Sequence, residues 1–164
     1  MRVQELNEMV RIFDLKGSTF KRETMRGNFS KSETLKDIDF LKMKVHVNLP
    51  EENLKEINQI IELDVKFLRE NQLMDYSILL GIELANKTLK GAKGNRRLCL
   101  SKCGKYIYHI CIIDYLQTFN LAKRGEIFLK TVFENAKANT LSAIDPDRYA
   151  SRFIDFMKSK VFNP

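Results

Sequence analysis

Two aspartates stand out because each adjoins an apolar stretch of the sequence. Asp75 lies just before the apolar run 78–80, and Asp114 directly follows the run 110–113. A carboxylate without a partner cannot stay ionised in apolar surroundings, so each needs a cation, a metal ion or several hydrogen-bond donors. One interpretation is structural: each accepts backbone hydrogen bonds as a turn or cap residue. The other is phosphoryl transfer, in which one carboxylate orients the attacking hydroxyl and another holds magnesium.

Basic residues that could hold a phosphate occur in the stretch 14–22. An arginine offers a planar fork and a lysine a point charge, and both suit a phosphomonoester. Lys16 and Arg22 share one face if the strand that carries them is regular, while Lys21 points the other way. Gly17 between them permits a close backbone approach or a bulge. The alternative is that both are ordinary surface cations.

The composition limits what kind of protein carries these residues. The chain has 164 residues, of which 44% are hydrophobic and 30% charged, with only seven Gly and three Pro. These proportions exclude collagen-like and disordered proteins and predict a folded domain. Lys and Arg number 28 against 21 Asp and Glu, so the net charge of +7 favours an anionic partner. The sequence predicts neither a signal peptide nor a membrane span, which needs roughly 20 apolar residues.

The cysteines favour a reducing compartment. Cys99, Cys103 and Cys111 are odd in number and lie in apolar or strand-like surroundings, which suits free thiols in the cytoplasm. A zinc site that includes His109 is disfavoured because the spacing fits no usual zinc finger. The basic residues are dispersed and no nucleic-acid recognition motif accompanies them, so we expect no nucleic acid as a partner.

Strands and one long helix are predicted in the first half of the chain. The stretch 13–22 predicts a strand with a glycine kink, and 39–47 predicts another short strand. The helix begins at Pro50, which is followed by two acids, and continues to Asn71. Its apolar residues recur at helical spacing and share one face: Leu54, Ile57, Ile61, Val65 and Leu68.

The elements of the second half deliver the two aspartates. Asp75 lies in a predicted buried turn that enters a strand. Strands 98–100 and 106–113 flank a glycine-containing turn and predict a β-hairpin, which places Asp114 at its far end. A last helix is predicted to begin at 145–146, where an aspartate cap precedes a proline.

Four stretches, in a fixed order, carry a family resemblance. They are Asp14 to Arg22, Lys36 to Phe40, Met74 to Ile82 and Ile112 to Gln117. They resemble the phosphatidylinositol phosphate kinases, and the resemblance extends from about residue 13 to residue 162. It implies an α+β fold, namely the C-terminal catalytic lobe of a protein-kinase-like domain in which small antiparallel strands pack with helices. The domain occupies residues 1–164 in this reading, with an activation loop at about 114–143.

The same resemblance implies roles for four residues. Asp75 orients the inositol hydroxyl, Asp114 binds Mg²⁺, and Lys16 and Arg22 face the phosphate that the substrate already carries. ATP and Mg²⁺ are the implied cofactors. No glycine-rich phosphate loop or strand lysine precedes the first motif in these residues. We therefore expect the N-terminal lobe to lie upstream or on another chain.

The predicted activation loop implies a membrane contact. Lys123 and Arg124 match the dibasic pair with which the related kinases meet the membrane, and Lys130 follows. Glu126 matches a glutamate of the kinases that phosphorylate phosphatidylinositol 4-phosphate at the 5-position, where the 4-kinases usually have alanine. An amphipathic helix packed on its own domain is the alternative. The apolar residues that could enter the interface are Leu121, Ile127, Phe128 and Leu129.

Two functions from different classes follow. The first is a phosphatidylinositol-4-phosphate 5-kinase that produces phosphatidylinositol 4,5-bisphosphate at an anionic phosphoinositide membrane. It would be cytoplasmic and peripheral, on the cytoplasmic face of the plasma membrane. The second is a non-catalytic module that binds a phosphoinositide or a protein. The presence of both acids favours the kinase, because a binding module does not need both, whereas the absent nucleotide half favours the module. The residues that together support the kinase are Lys16, Arg22, Asp75, Asp114 and Glu126.

Overall fold

The computed structural model describes residues 9–24, 33–85, 98–118 and 145–163. These residues form a mixed β-sheet, a second small ladder and helices, which confirms the predicted α+β class. The elements in chain order are β1 (Met9–Leu15), β2 (Thr34–Leu35), α1 (Asp37–Lys42), α2 (Glu51–Glu70), β3 (Leu73–Met74), β4 (Ser77–Leu84), β5 (Leu98–Leu100), β6 (Tyr106–Ile113), β7 (Gln117–Thr118) and α3 (Pro146–Phe156), with a π-helical turn at Met157–Val161.

The larger sheet has the strand order β2-β1-β4-β6-β5. β1 is parallel to β2 and antiparallel to β4, and β6 is antiparallel to both β4 and β5. Phe13 faces Leu80, which in turn faces Ile110, and residues directly opposite on antiparallel strands lie on the same side of the sheet. Phe13 and Leu80 are fully buried, so this side is the one that forms the core.

Helices α2 and α3 contribute to the same hydrophobic core as the sheet. Tyr76, which enters β4, is fully buried between aromatic rings of α3. Its ring centroid lies 4.7 Å from that of Tyr149 and 5.0 Å from that of Phe153, both in edge-on geometry. Such pairs are favourable beyond the area they bury, so they fix the chain at Tyr76 against α3.

Helix α2 confirms the prediction of a helix from Pro50 to Asn71. Pro50 precedes its first turn, and the backbone nitrogen of Asn71 donates to the Phe67 oxygen at 3.1 Å as the helix ends. None of the helices in the part of the chain that the structure describes has the apolar length that a membrane-spanning helix needs. The residues that α2 buries are four of the five predicted to share a face: Leu54, Ile61, Val65 and Leu68.

The hairpin and the last helix are also confirmed. β5 and β6 are joined through a turn in which the Gly104 nitrogen donates to the Ser101 oxygen at 2.8 Å. Gly104 has φ +67°, a conformation that glycine adopts without strain. At the start of α3, Oδ1 of Asp145 accepts a hydrogen bond from the Arg148 nitrogen at 3.1 Å, which is the predicted cap.

Two predictions of strand are wrong. The strand predicted at 13–22 ends at Leu15, because Gly17 turns the chain with φ +65°. The stretch predicted as a strand at 39–47 begins within α1, because the Asp39 carboxylate accepts the Lys36 nitrogen at 2.9 Å and closes a helical turn. In both places a side chain or a glycine satisfies or redirects the backbone, which outweighs the local alternation.

Candidate functional site

The two candidate aspartates lie at one interruption of an antiparallel strand pair. The β4–β6 ladder ends where Ser77 faces Ile113, and the same two chain segments pair again as β3 and β7. Asp75 lies in the interruption on one side and Asp114 on the other. Residues 86 to 97 and the hairpin turn separate them along the sequence, so it is the register that brings them to one place.

Both aspartates leave their strands in the left-handed conformation, with φ 65° at Asp75 and 59° at Asp114. Aspartate tolerates this region better than most residues, at a cost of roughly 1–2 kcal/mol. The Asp75 side chain is 23% exposed, so the aspartate of the turn that was predicted to be buried is only partly buried. The prediction that Asp114 lies in apolar surroundings is wrong: it is exposed, because it follows the last residue of β6 at the turn toward β7.

Lys16 is bonded to Asp75. Its Nζ lies 3.0 Å from Oδ1 of Asp75 and donates to the main-chain oxygen of the same residue at 2.7 Å. Lys16 is 8% exposed, so it is not an ordinary surface cation. A lysine held by both the carboxylate and the carbonyl of one residue fixes that residue's orientation at the mouth of the interruption.

Arg22 is held between two carboxylates. Its Nε donates to Oδ2 of Asp37 at 2.8 Å, and Nη2 donates to the Asp14 main-chain oxygen at 2.6 Å while lying 3.2 Å from Oδ1 of Asp14. Burial alone lowers the pKa of Arg22, but the charges of Asp37 and Asp14 outweigh it and raise the pKa above its ordinary value. Arg22 is therefore a buried, permanently charged residue that the surrounding acids have positioned.

Asp37 connects Arg22 to the turn that carries Lys16. It is fully buried, and its Oδ1 accepts the backbone nitrogens of Lys16 at 3.0 Å and Ser18 at 3.2 Å. Burial raises the pKa of Asp37, and the guanidinium of Arg22 and the Ser18 donor oppose that rise. The carboxylate thus accepts the backbone hydrogen bonds that a neighbouring strand would accept if β1 continued past Leu15.

Helix α3 supports both halves of the arrangement. The Tyr149 hydroxyl donates to the main-chain oxygen of Tyr76, next to Asp75. Nη2 of Arg152 donates to the main-chain oxygen of Lys16 at 3.4 Å. Burial lowers the pKa of Arg152, whose guanidinium lies 4.9 Å from the Tyr149 ring centroid, and burial raises the pKa of Tyr149. One helix therefore bonds to the main chain at Lys16 and at the neighbour of Asp75.

Comparison with known proteins identifies the family. A family model described as Phosphatidylinositol-4-phosphate 5-Kinase matches residues 3–102 and 90–160, which is most of the chain. The chain belongs to the phosphatidylinositol phosphate kinase family. Membership in this family of lipid kinases agrees with two acids at one interruption and with a lysine, Lys16, bonded to one of them.

The relatives include both branches of the family. The chain is 28% identical to phosphatidylinositol 4-phosphate 5-kinase type-1 beta of Mus musculus, over 92% of this chain and 36% of the relative. It is 27% identical to phosphatidylinositol 5-phosphate 4-kinase type-2 alpha of Gallus gallus, over 90% of this chain and 48% of the relative. The phosphatidylinositol 4-phosphate 5-kinase of Plasmodium falciparum is 28% identical, over 93% of this chain and 10% of the relative. The chain thus spans about a third to a half of the first two.

The residues predicted to contact the membrane and select the substrate lie outside the described residues. They are Leu121, Lys123, Arg124, Glu126, Ile127, Phe128 and Lys130. Their roles in this family member stay predictions. The structure describes the other four predicted site residues. Asp75 and Asp114 lie at the interruption, Lys16 is bonded to Asp75, and Arg22 lies in the segment that follows β1. Their roles also stay predictions.

The donor set suits magnesium better than a metal held by protein alone. In the described part of the chain, no three His, Cys, Asp or Glu residues are grouped to hold a metal ion. Mg²⁺ in kinases needs only one or two carboxylates, because phosphates and water complete its shell. The exposed carboxylate of Asp114 fits this requirement, and Asp75 lies across the interruption from it.

Three residues of the arrangement were not predicted from the sequence as site residues. Asp37, Tyr149 and Arg152 make contacts with chain segments far from them in the sequence. Asp37 belongs to one of the four stretches that carry the family resemblance, which is the sole hint that the sequence offers of its importance. Tyr149 and Arg152 lie in the terminal stretch 145–153, which the family resemblance includes, but no role in the site was predicted for either.

Proposed function

We propose that this chain supplies the C-terminal catalytic lobe of a phosphatidylinositol-4-phosphate 5-kinase. The reaction transfers the γ-phosphoryl group of ATP to the 5-hydroxyl of phosphatidylinositol 4-phosphate. The observation that carries the proposal is the location of Asp75 and Asp114 at one interruption, with Lys16 bonded to Asp75. A carboxylate for the hydroxyl, a carboxylate for the metal and a cation near the phosphates are what phosphoryl transfer requires.

In this proposal Asp75 acts on the attacking hydroxyl. Its carboxylate accepts the hydrogen bond of the inositol 5-hydroxyl and directs the oxygen at the γ-phosphorus. As the new oxygen–phosphorus bond forms, the bond to the β–γ bridging oxygen breaks, ADP leaves with that electron pair, and the hydroxyl proton passes to Asp75. Asp114 would hold Mg²⁺, which when bound offsets the negative charge of the ATP phosphates.

Lys16 and Arg22 are the proposed contacts of the phosphate that the lipid already carries. Both are bonded to carboxylates in the structure, Lys16 to Asp75 and Arg22 to Asp14 and Asp37. An arriving phosphate therefore competes with Asp75 for Lys16 and with Asp14 for Arg22. Substrate binding is coupled to the orientation of Asp75 through this exchange of partners.

The proposal includes a location and a choice of lipid. Lys123, Arg124 and Lys130, together with apolar neighbours in the predicted activation loop, would hold the protein on the cytoplasmic face of an anionic membrane. Each basic residue near such a surface contributes about 1 kcal/mol. Glu126 supports the 5-kinase branch by its match to the glutamate of that branch. An N-terminal lobe, encoded upstream or present on another chain, would complete the nucleotide site.

The assay uses the chain alone and a fusion that adds the N-terminal part of the mouse type-1 beta relative. Each is incubated with ATP, Mg²⁺ and phosphatidylcholine–phosphatidylserine vesicles that contain either phosphatidylinositol 4-phosphate or phosphatidylinositol 5-phosphate. We expect the fusion to convert the 4-phosphate lipid to the 4,5-bisphosphate. Conversion of the 5-phosphate lipid alone would instead assign the chain to the 4-kinase branch.

The controls separate chemistry from folding. Asp75→Asn should lower the turnover of the fusion by about 10²–10⁴-fold, because a residue that orients and deprotonates the hydroxyl acts in the transition state. Asp64→Asn, which changes an exposed acid of α2, should leave the turnover unchanged. Vesicle binding should be the same for both variants. Equal loss of turnover and vesicle binding in Asp75→Asn would contradict the catalytic role.

A second candidate function is a non-catalytic phosphoinositide- or protein-binding module. The observation that favours it is that Lys16 and Arg22, the proposed phosphate contacts, are held in place by carboxylates of this same chain. It predicts that the chain alone binds phosphoinositide vesicles while the fusion shows no turnover. The assay above therefore distinguishes the two candidates.

A further inference from the structure

Asp37 lies beneath the candidate site and joins three parts of the chain that are remote in sequence. Its two carboxylate oxygens accept hydrogen bonds from the Lys16 and Ser18 backbone nitrogens and from Nε of Arg22. It is fully buried and begins helix α1, which packs on β1. Burying a charged carboxylate costs free energy unless several hydrogen-bond donors compensate for the lost water. The three donors around Asp37 provide this compensation.

Lys16 is thereby held at both ends. Asp37 fixes its backbone nitrogen, and Asp75 fixes its side-chain Nζ. The next residue, Gly17, packs closely against α3, so the turn has little room to move. A Cβ added to Gly17 would lie 3.1 Å from Cβ of Phe156 and 3.3 Å from the Arg152 oxygen. The position of the Lys16 ammonium group beside Asp75 therefore depends on where Asp37 holds the turn.

We propose that Asp37 is a positioning residue. It fixes the location of the Lys16 ammonium group beside Asp75 through the backbone of the turn, and it fixes the guanidinium group of Arg22 by a direct hydrogen bond. It makes no bond to Asp75 or Asp114 in the described structure and needs no contact with substrate. The catalytic consequence of this inference rests on the proposed function, but the positioning itself does not. The closing experiment measures the two separately.

The first measurement is the acylation of Lys16 by an N-hydroxysuccinimide acetate ester, followed by peptide mass spectrometry. Lys16 is 8% exposed and its Nζ is bonded twice to Asp75, so it should react slowly in the unaltered protein. Asp37→Asn keeps an oxygen for the two backbone donors but sets an amide donor against Nε of Arg22. Asp37→Ala removes all three bonds. We expect Lys16 acylation to rise about fivefold in the first and more than tenfold in the second, as the turn opens locally.

The cysteines report whether a variant is folded. Cys99 is buried, whereas Cys103 and Cys111 are exposed, so a thiol reagent should modify the last two rapidly and Cys99 slowly while the fold is intact. Each variant is compared at a temperature at which its Cys99 stays protected. Asp39→Asn is the matched control, because Asp39 is equally buried in the same helix but accepts the nitrogens of Thr24 and Lys36.

The outcomes decide the proposal without reference to activity. Faster acylation of Lys16 in both Asp37 variants, with Cys99 protected and with Asp39→Asn unchanged, supports it. Acylation of Lys16 at the unaltered rate in Asp37→Asn and Asp37→Ala, with Cys99 protected, overturns it. An equal rise in Asp39→Asn also overturns it, because the effect would then belong to the helix and not to Asp37.

The second measurement is kinetic and uses the fusion described above. If the fusion is active, Asp37→Asn should lower kcat about tenfold and leave the KM for ATP unchanged, because the residue orients Lys16 and Asp75 and does not contact the nucleotide. An unchanged kcat would overturn the catalytic part of the inference. A fusion without activity would count against the proposed function, while the acylation result would still decide the positioning.

Discussion

The Asp75 side and the Asp114 side of the interruption have the same backbone conformation but opposite surroundings. Asp75 is bonded to Lys16, and its neighbour Tyr76 is packed between the rings of α3. On the other side, Tyr115 is 49% exposed and Leu116 is 84% exposed. Within the described ranges, no hydrogen bond or ion pair reaches the Asp114 carboxylate.

The difference shows which of the two aspartates is held in position by contacts within the protein itself. A carboxylate that must orient a hydroxyl works only if its own position is fixed. Asp75 is bonded to Lys16 of the turn after β1, and α3 bonds to the main-chain oxygens of Lys16 and of Tyr76, the neighbour of Asp75. A carboxylate that must bind a metal together with phosphates needs free lone pairs and access to solvent. Asp114 is exposed and, among the described residues, has no hydrogen-bond partner. The two halves therefore differ in the way that their proposed roles require.

The largest expected effect separates the two aspartates by their response to magnesium. In the fusion, Asp75→Asn should lower turnover about 10²–10⁴-fold at every magnesium concentration. Asp114→Asn should instead shift the magnesium dependence to higher concentration, because it removes a charged ligand. Initial rates across a MgCl₂ series measure both. An unchanged magnesium curve for Asp114→Asn would remove that residue from the metal site and break the comparison.

A smaller effect is expected on stability, where replacing the less exposed aspartate, Asp75, should cost more than replacing Asp114. Asp75→Asn leaves Lys16 without its ionised partner in a nearly buried position, so the free energy of unfolding should fall by about 1–3 kcal/mol. Asp114→Asn should change it by less than about 0.5 kcal/mol, since it replaces an exposed side chain that has no partner among the described residues. Urea unfolding followed by circular dichroism measures both. Equal losses would show that the two sides are held alike.

The smallest effect compares the turn beneath Asp75 with a turn far from it. Gly17 and Gly104 have nearly the same φ, +65° and +67°, but a Cβ on Gly17 would meet Phe156 at 3.1 Å whereas nothing lies within 4 Å at Gly104. Gly17→Ala and Gly104→Ala should share a backbone cost of about 1–2 kcal/mol. Gly17→Ala should lose about 1 kcal/mol more, from crowding against α3. Equal losses in urea unfolding would mean that the packing of the turn on α3 contributes little.

Much of the fold follows from local sequence. The helix from Pro50, the hairpin that ends at Asp114 and the cap at Asp145 were predicted with nearly the observed bounds. In each case the information lies within a few residues: a proline and acids at a helix start, apolar spacing of one face, or a glycine in a turn. The four ordered stretches likewise indicated the family before any geometry was known.

Only the tertiary structure decided which side chains of the candidate site bond to each other. Sequence alternation predicted a strand that continues to Arg22 and has Lys16 and Arg22 on one face. The folded chain instead turns at Gly17 and pairs Lys16 with Asp75 and Arg22 with Asp37. Lys16 and Asp75 are 59 residues apart, and their bond depends on a strand register and a helix that local spacing does not encode. The physical reason is that burying an unpaired charge costs free energy, so a buried charge needs an opposite charge close to it in space. Neighbours in space are set by the fold and not by local spacing in the sequence.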